Sequence, residues 1–291
     1  MDLSKLKKRA AFPFETIAVA VSFSPRCLSV LVEAKYLSDI LNATLILIHI
    51  GKKTAEKELY LDNLMSQVEM DESRYRVIWM EGDPVETILK LCKLNIVDLL
   101  IIGALETENV IKFYLGSIAR TICRKAKCSV LLLINPLEHP KKYKRIVVNG
   151  VENKKTIHTI GATFYFAKCF KIKDVAIVNE INMPGLSMVI ADDSTAPEAK
   201  EIKKNFNNEM EECIQSIIQK YDTTGINVSN KSVKGKPGYA ISKYAKDRKS
   251  DLLIINSPDT HLNLLDRIFT HDIEYILAHL PCNLLIIHSR V

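Results

Sequence analysis

No segment of the chain runs to about eighteen consecutive apolar residues, so none is built to span a bilayer as a helix. The basic N-terminal stretch with Lys5, Lys7, Lys8 and Arg9 has no apolar core behind it, which excludes a secretory signal; residues 1–14 read as a mobile leader. The seven cysteines, Cys27, Cys92, Cys123, Cys128, Cys169, Cys213 and Cys282, contain no Cys-x-x-Cys, and zinc-ribbon and thioredoxin chemistries drop out with it. Their scatter through apolar surroundings fits buried free thiols in a reducing cytoplasm. A Gly-x-Ser-x-Gly elbow is missing, so the chain lacks that frame for a serine nucleophile. A strong excess of either charge is lacking too. Forty Lys and Arg stand against 34 Asp and Glu, a net charge of +6 spread along the chain, which favours solubility over a nucleic-acid footprint. Histidines crowd the end (His261, His271, His279, His288), yet no two have the i, i+4 spacing of a helical metal site. They read as surface and helix-end residues, and His271 beside Asp272 is kept as a contact for a ligand at a helix start.

What is present is a repeat. Residues 82–133 give Gly82-Asp83-Pro84, an amphipathic run, Val97-Asp98-Leu99-Leu100-Ile101-Ile102-Gly103, a polar loop, Leu115-Gly116-Ser117, a second amphipathic run and Val130-Leu131-Leu132-Leu133. Residues 235–287 follow the same order: Gly235-Lys236-Pro237, Ser250-Asp251-Leu252-Leu253-Ile254-Ile255-Asn256, a polar loop, Phe269-Thr270-His271 and Leu284-Leu285-Ile286-Ile287. With 291 residues the chain has room for two domains of roughly 150 residues each. The expected layout is a first domain over 15–134, a linker over 135–144 with Pro136 and Pro140, and a second domain over 145–291.

Short apolar runs alternate with amphipathic ones. Strands are predicted at Thr16–Val21, Thr44–Ile50, Tyr75–Met80, Val97–Ile102 and Ser129–Leu133, with helices between them. Ser24 reads as the cap of the first helix and Asp83 as a cap ahead of Pro84. Strands separated by helices need crossovers, so each half is an α/β domain with a doubly wound parallel sheet. The second half repeats this, restarting with the run Arg145–Gly150, with strands at Asp174–Val178 and Ile226–Val233, and then the runs Ser250–Asn256 and Leu284–Ile287. Residues 183–197 read as irregular and 198–220 as a helix. The two closing strands are very apolar for sheet edges, and unpaired apolar edges associate. They are expected to pair with each other inside one chain, and a homodimer of whole chains stays open.

This order of elements resembles the universal stress protein family in its tandem form. The resemblance rests on the opening strand, the Gly-Asp-Pro turn, the strand ending in Gly103, the Gly116-Ser117 helix start and the closing apolar strand. It implies five parallel strands and four helices per domain, and a nucleotide site at the carboxyl ends of the strands, where open α/β sheets bind ligands. It assigns candidate binding roles to Ser22, Ile50, Gly82, Gly103, Gly116 and Ser117. ATP-binding members carry Gly-x2-Gly-x9-Gly-Ser/Thr and an Asp after the first strand. Glycines admit phosphate oxygens to backbone N–H groups, some at positive φ, and the helix start favours an anion.

The chain departs from that pattern. Glu106 stands at the middle glycine and Ser22 at the Asp. A carboxylate about 4 Å from a phosphate charge costs on the order of 4 kcal/mol at an effective dielectric of 20. Glu106 can turn outward and reduce that; losing the Asp contact costs roughly 1.5–3 kcal/mol, and together these weaken ATP binding by roughly a hundredfold or more. In the second copy Asn149 replaces the Asp, Asn256 the first glycine and Thr270-His271 the Gly-Ser pair, with Asp259 nearby. ATP is therefore expected in the first domain only, if at all, and no metal or catalytic residue is assigned. A pyrophosphatase-type Ser-Gly-Gly loop is absent after the first strand, which argues against ATP-dependent ligases of similar architecture. The expected protein is a cytoplasmic, non-catalytic stress-response binding module with a degenerate nucleotide site. Its alternatives are a weak ATP-binding or ATP-hydrolysing switch and a pseudo-symmetric scaffold for a protein partner. Neither nucleic acid nor membrane is an expected partner.

Overall fold

The computed structural model describes residues 10–106, 113–151, 153–181, 208–258 and 270–288. These fall into two compact units. One ends at Lys142 and takes in the closing segment from Asn283; the other spans Tyr143–Cys282.

The first unit runs β1 (Thr16–Ala20), α1 (Cys27–Leu41), β2 (Thr44–Ile50), α2 (Ala55–Val68), β3 (Tyr75–Met80), α3 (Pro84–Leu94), β4 (Leu99–Gly103), β5 (Leu105–Glu106), β6 (Phe113–Tyr114), α4 (Ser117–Lys125) and β7 (Ser129–Leu133). Five strands form a parallel sheet in the order β7-β4-β1-β2-β3. Ile17–Val19, Leu99–Ile101 and Leu131–Leu133 are fully buried, so the inner strands read as continuous apolar runs. The described end of the predicted leader is packed as well, with Ala11 and Phe14 buried.

Helix starts follow local chemistry. Asp83 accepts from the Glu86 N–H at 2.9 Å with Pro84 beginning α3, as the sequence predicts. Ser24 differs from expectation. Its carbonyl closes a turn by accepting from the Cys27 N–H at 2.9 Å, and α1 begins only at Cys27, with no side-chain cap. Pro25 therefore sits in that turn and not in the helix. The polar loop between Gly103 and Leu115 also differs, since it opens and closes with the short antiparallel pair β5–β6.

The second unit runs β8 (Arg145–Asn149), α5 (Thr156–Cys169), β9 (Asp174–Ile181), a helix α6 described over 208–218, β10 (Asn227–Lys234), α7 (Tyr239–Asp247), β11 (Leu252–Asn256) and α8 (Thr270–Ala278). Its parallel strands lie in the order β10-β9-β8-β11. The segments 183–197 and 198–207, read as irregular and helical, lie outside the described residues. The strand expected as the fifth of this half, β12 (Asn283–Ile287), packs with the first unit. There it pairs antiparallel with β7 through Leu284↔Leu132, Leu285↔Leu131 and Ile286↔Val130. Leu284 to Ile287 are all buried, which removes the apolar edge that β7 would otherwise present.

Three repeated motifs have structural work in both units. Asp98 Oδ2 accepts from the Glu15 and Thr16 N–H groups at 3.0 and 2.9 Å, fastening the start of β1. Asp251 Oδ2 does the same for Lys144 and Arg145, at 2.7 and 2.9 Å, before β8. Gly82 (φ +138°) and Gly235 (φ +154°) make the same turn, each packed so that a Cβ would meet the residue five ahead: Thr87 Oγ1 at 2.8 Å and Ala240 Cβ at 3.0 Å. Ile96 and Lys249, both at φ 52°, take the left-handed position that follows α3 and α7.

Candidate functional site

The carboxyl ends of β1, β2 and β4 open into a cavity of about 830 Å³ in the first unit. Its walls come from the β1–α1 connection, the end of β2, the end of β4, the first turn of α4 and the start of α3. Most of the lining is apolar, including Val30, Leu31, Ile88 and Ile102. This is where a doubly wound sheet concentrates ligand sites, because the helix starts and strand ends converge there.

Five of the six candidate residues line it: Ser22, Ile50, Gly103, Gly116 and Ser117. Gly82 does not; it belongs to the turn described above. Gly103 ends β4, and a Cβ there would lie 3.1 Å from Val30 Cγ2, so the residue is small because α1 passes close. Gly116 has φ −58° and Gly103 is absent from the positive-φ positions, so neither depends on left-handed backbone. α4 starts at the cavity wall, and among the described residues no side chain caps its first amides. Among the described residues the Ser22 hydroxyl reaches Ser24, with an Oγ–Oγ distance of 3.5 Å.

The middle of the expected phosphate loop takes another form. The Glu106 backbone is laddered to Phe113, so this stretch of chain is a strand pair and not an open cradle of amides. The Glu106 side chain lies outside the described residues.

Several lining residues escaped the sequence reading. His49 is buried at the end of β2, with Nδ1 3.0 Å from the Val21 carbonyl. A carbonyl only accepts, so Nδ1 carries a proton, and the buried Nε2 has no partner among the described residues. Phe23 packs against this ring at 4.6 Å between centroids and stacks on Trp79 at 5.9 Å, making an aromatic floor. Arg26 and Lys57 bring positive charge to the lining. Arg26 is anchored by Nη1 to the Ile134 carbonyl at 3.1 Å. Burial pushes the Cys27 thiol at the wall up to about 11, which keeps it protonated and poorly nucleophilic. Phe23 and Arg26 follow Ser22 directly, so their place after β1 was the available signal. Lys57 comes from a separate helix, and nothing in its local pattern marks it.

At the matching strand end in the second unit, described side chains bridge β11 to α5. Asn256, where Gly103 stands in the first copy, accepts from Thr159 Oγ1 and donates to Thr156 Oγ1 at 3.1 Å, tying β11 to the first turn of α5. Lys155 Nζ donates to the Ser257 and Pro258 carbonyls at 3.0 and 3.3 Å. The Asn149 side chain accepts from the Val151 N–H at 3.0 Å. A smaller cavity of about 350 Å³ lies instead between the β8–α5 connection and α6, lined by Gly150, Thr156, Met210 and Ile214 among others. Asp259 and His261 lie outside the described residues, as do the side chains of Thr270 and His271. His279 stacks on Tyr275 at 4.8 Å. Among the described residues no group of three His, Cys, Asp or Glu side chains is placed to hold a metal, and no helix is long and apolar enough to cross a membrane.

Comparison with known proteins agrees with this architecture. Residues 13–133 match the model of the universal stress protein family. A functionally unknown protein from Pseudomonas aeruginosa PAO1 superposes with a TM-score of 0.66 at 14% identity, over 99% of this chain and 95% of its own. A putative universal stress protein from Pseudomonas aeruginosa UCBPP-PA14 gives 0.65 at 14% identity, over 97% and 94%. A universal stress protein from Archaeoglobus fulgidus DSM 4304 gives 0.64 at 15% identity, over 96% and 100%. At these identities the likeness is one of fold. No curated protein matches the chain.

Proposed function

We propose, from the match of residues 13–133 to the universal stress protein family, that the chain is a non-catalytic binding and regulatory protein of that family with one ligand site, in its first unit. The supporting observation is the contrast between the units. The cavity of about 830 Å³ lined by Ser22, Ile50, Gly103, Gly116 and Ser117 is open, whereas the Asn256–Thr156–Thr159 cluster bridges the corresponding gap in the second unit. A second unit that cannot load the same ligand serves as a fixed partner, and the regulatory signal is the occupancy of the first.

The site is degenerate toward ATP on this reading. Ser22 is shorter than an aspartate and offers one oxygen in place of two. The β5–β6 pair commits backbone at the middle of the phosphate loop. A weak ATP-responsive switch is the second reading, favoured by the survival of Gly103, Gly116 and Ser117 on one wall. The absence of catalysis is supported by the protonated thiol of Cys27 and by the His49 ring, whose Nδ1 is engaged with backbone. The seven free cysteines favour a reducing, cytoplasmic setting. Titration calorimetry of the full chain tests the reading. Weak ATP binding at one site per chain, with no phosphate release, is expected. Tight binding at two sites, or steady ATP turnover, overturns it.

A further inference from the structure

We infer that the amino end of the second unit's sheet is a docking face for a nucleic-acid duplex, held through its phosphates without reading sequence. Basic residues spread along the sequence are gathered there by the fold. The turns that enter β8, β9, β10 and β11 (residues 144–145, 168–174, 220–227 and 246–251) hold nine Lys and Arg against four Asp. Three of those acids are already engaged. Asp174 pairs with Arg145 and Arg248, Asp222 with Lys168, and Asp251 accepts from the Lys144 and Arg145 N–H groups. Asp247 is the fourth. Lys144, Lys171, Lys173, Lys220 and Lys249 are exposed, and among the described residues their ammonium groups meet no acceptor. Ile181, Asn208, Pro258 and Thr270, which flank residues 182–207 and 259–269, stand at the opposite end of the sheet.

Lysines near helix ends also offset the helix dipole, but the first unit shows that the fold does not demand this excess. The described turns ahead of its five parallel strands (residues 10–16, 39–44, 67–75, 93–99 and 124–129) hold six Asp and Glu against five Lys and Arg. The partner is set by what accompanies the lysines. None of the exposed large apolar side chains among the described residues lies in these turns, so the face offers nothing to enter a bilayer or to anchor a protein interface. Phe170 is buried and the Tyr221 hydroxyl is bonded to the Ile157 carbonyl at 2.9 Å, so no aromatic platform is presented for the bases of a single strand. Both arginines are paired with Asp174, which takes them from the forked contact that reads guanine. What remains is a row of point charges. Four adjacent strand starts span about 15 Å, and a duplex carries one phosphate charge per ~1.7 Å of its axis, so the row faces more phosphates than it has lysines.

Fluorescence anisotropy of the full chain with a labelled DNA duplex of about 20 base pairs tests this. The logarithm of affinity should fall against the logarithm of salt with a slope of about −4.5, five contacts at about 0.9 each, and shuffling the sequence should change affinity by less than about threefold. The triple change Lys171→Gln, Lys173→Gln and Lys220→Gln removes exposed groups that hold nothing in the fold. It should weaken binding about tenfold or more at ~0.1 M salt and bring the slope to about −2. Lys234→Gln, Lys236→Gln and Lys243→Gln remove the same charge elsewhere in that unit and should change affinity by less than about threefold. A duplex that does not bind, equal weakening by the two triples, or a slope unmoved by the first overturns the inference. So does tighter binding to phosphatidylserine vesicles, to poly-glutamate or to the single strand at the same salt, which would give the face to a membrane, an acidic protein segment or an unpaired strand.

Discussion

Replacing Asp98 by alanine should cost the first unit far more than the same change at Asp251 costs the second. Asp98 is 5% exposed, and one of its oxygens accepts from two backbone donors at 3.0 and 2.9 Å. Those donors open β1, the strand between β2 and β4. Alanine leaves both N–H groups without this acceptor beside a buried strand. Each stranded donor costs about 1–3 kcal/mol, so the expected loss is about 3–5 kcal/mol. The Asp251 bonds lie in a more exposed place, where water can replace the carboxylate, and about 1–2 kcal/mol is expected there. Trp79, the single tryptophan, sits in β3 and reports on the first unit. Urea unfolding followed by its fluorescence should show the Asp98→Ala midpoint lowered by about 1.5–2.5 M, taking a slope of about 2 kcal/mol/M. Asp98→Asn keeps an acceptor oxygen and should lose less than half as much. A Trp79 midpoint for Asp98→Ala no lower than that of the unchanged chain, or a loss no larger than the one circular dichroism reads for the second unit in Asp251→Ala, would refute the reasoning, because the cost would then not follow burial.

Other outcomes follow from the same structure. Leu285→Asp puts a carboxylate in the β12–β7 ladder, where Leu285 is fully buried, and should cost about 3–5 kcal/mol and promote aggregation, as read by thermal melting and light scattering. Burial pushes the Glu33 carboxyl up to about 7, against a hydrogen bond donated by the Leu137 N–H. The folded state therefore holds this proton more tightly than the unfolded chain does, and stability falls as pH rises from about 4.5 to about 7. Glu33→Gln should remove that decline and gain about 1–2 kcal/mol at pH 8, allowing for the water that reaches part of the carboxyl; a denaturation series across pH checks it. Ser22→Asp combined with Glu106→Gly should tighten ATP binding by roughly tenfold or more in calorimetry, and a folded double variant without gain would show that the cavity cannot be turned back to ATP. The Cys92 thiol is raised well above the usual range by its hydrogen bond with Cys128 and by burial, so timed alkylation should label exposed Cys213 first and Cys92 among the last.

Legibility in the sequence followed the range of the interactions. Continuous apolar runs such as Thr44–Ile50, and the Asp83-Pro84 start of α3, were readable because their causes are local. The Gly116-Ser117 start of α4 was readable for the same reason. The start of α1 was misplaced because Ser24, a good cap by type, is used through its backbone carbonyl. The roles of Asp98 and Asp251 were hidden because each acts on amides more than eighty residues away. The apolar closing strands announced that an edge had to be covered, and the pairing of β12 with β7 met that need. Within the site, the glycine and serine positions were visible through motif spacing. The charge of the cavity was not, because Lys57 reaches it from α2 while Arg26 comes from the β1–α1 turn.

One ligand site, in the first unit alone, is tested most directly by hydrogen exchange on the full chain with and without saturating 1-anilinonaphthalene-8-sulfonate. Slower exchange is predicted for peptides covering residues 20–27 and 115–122, at the ends of β1 and the start of α4, with no change over 148–160 and 252–258. Protection of the second pair of segments, or of neither pair, would contradict it.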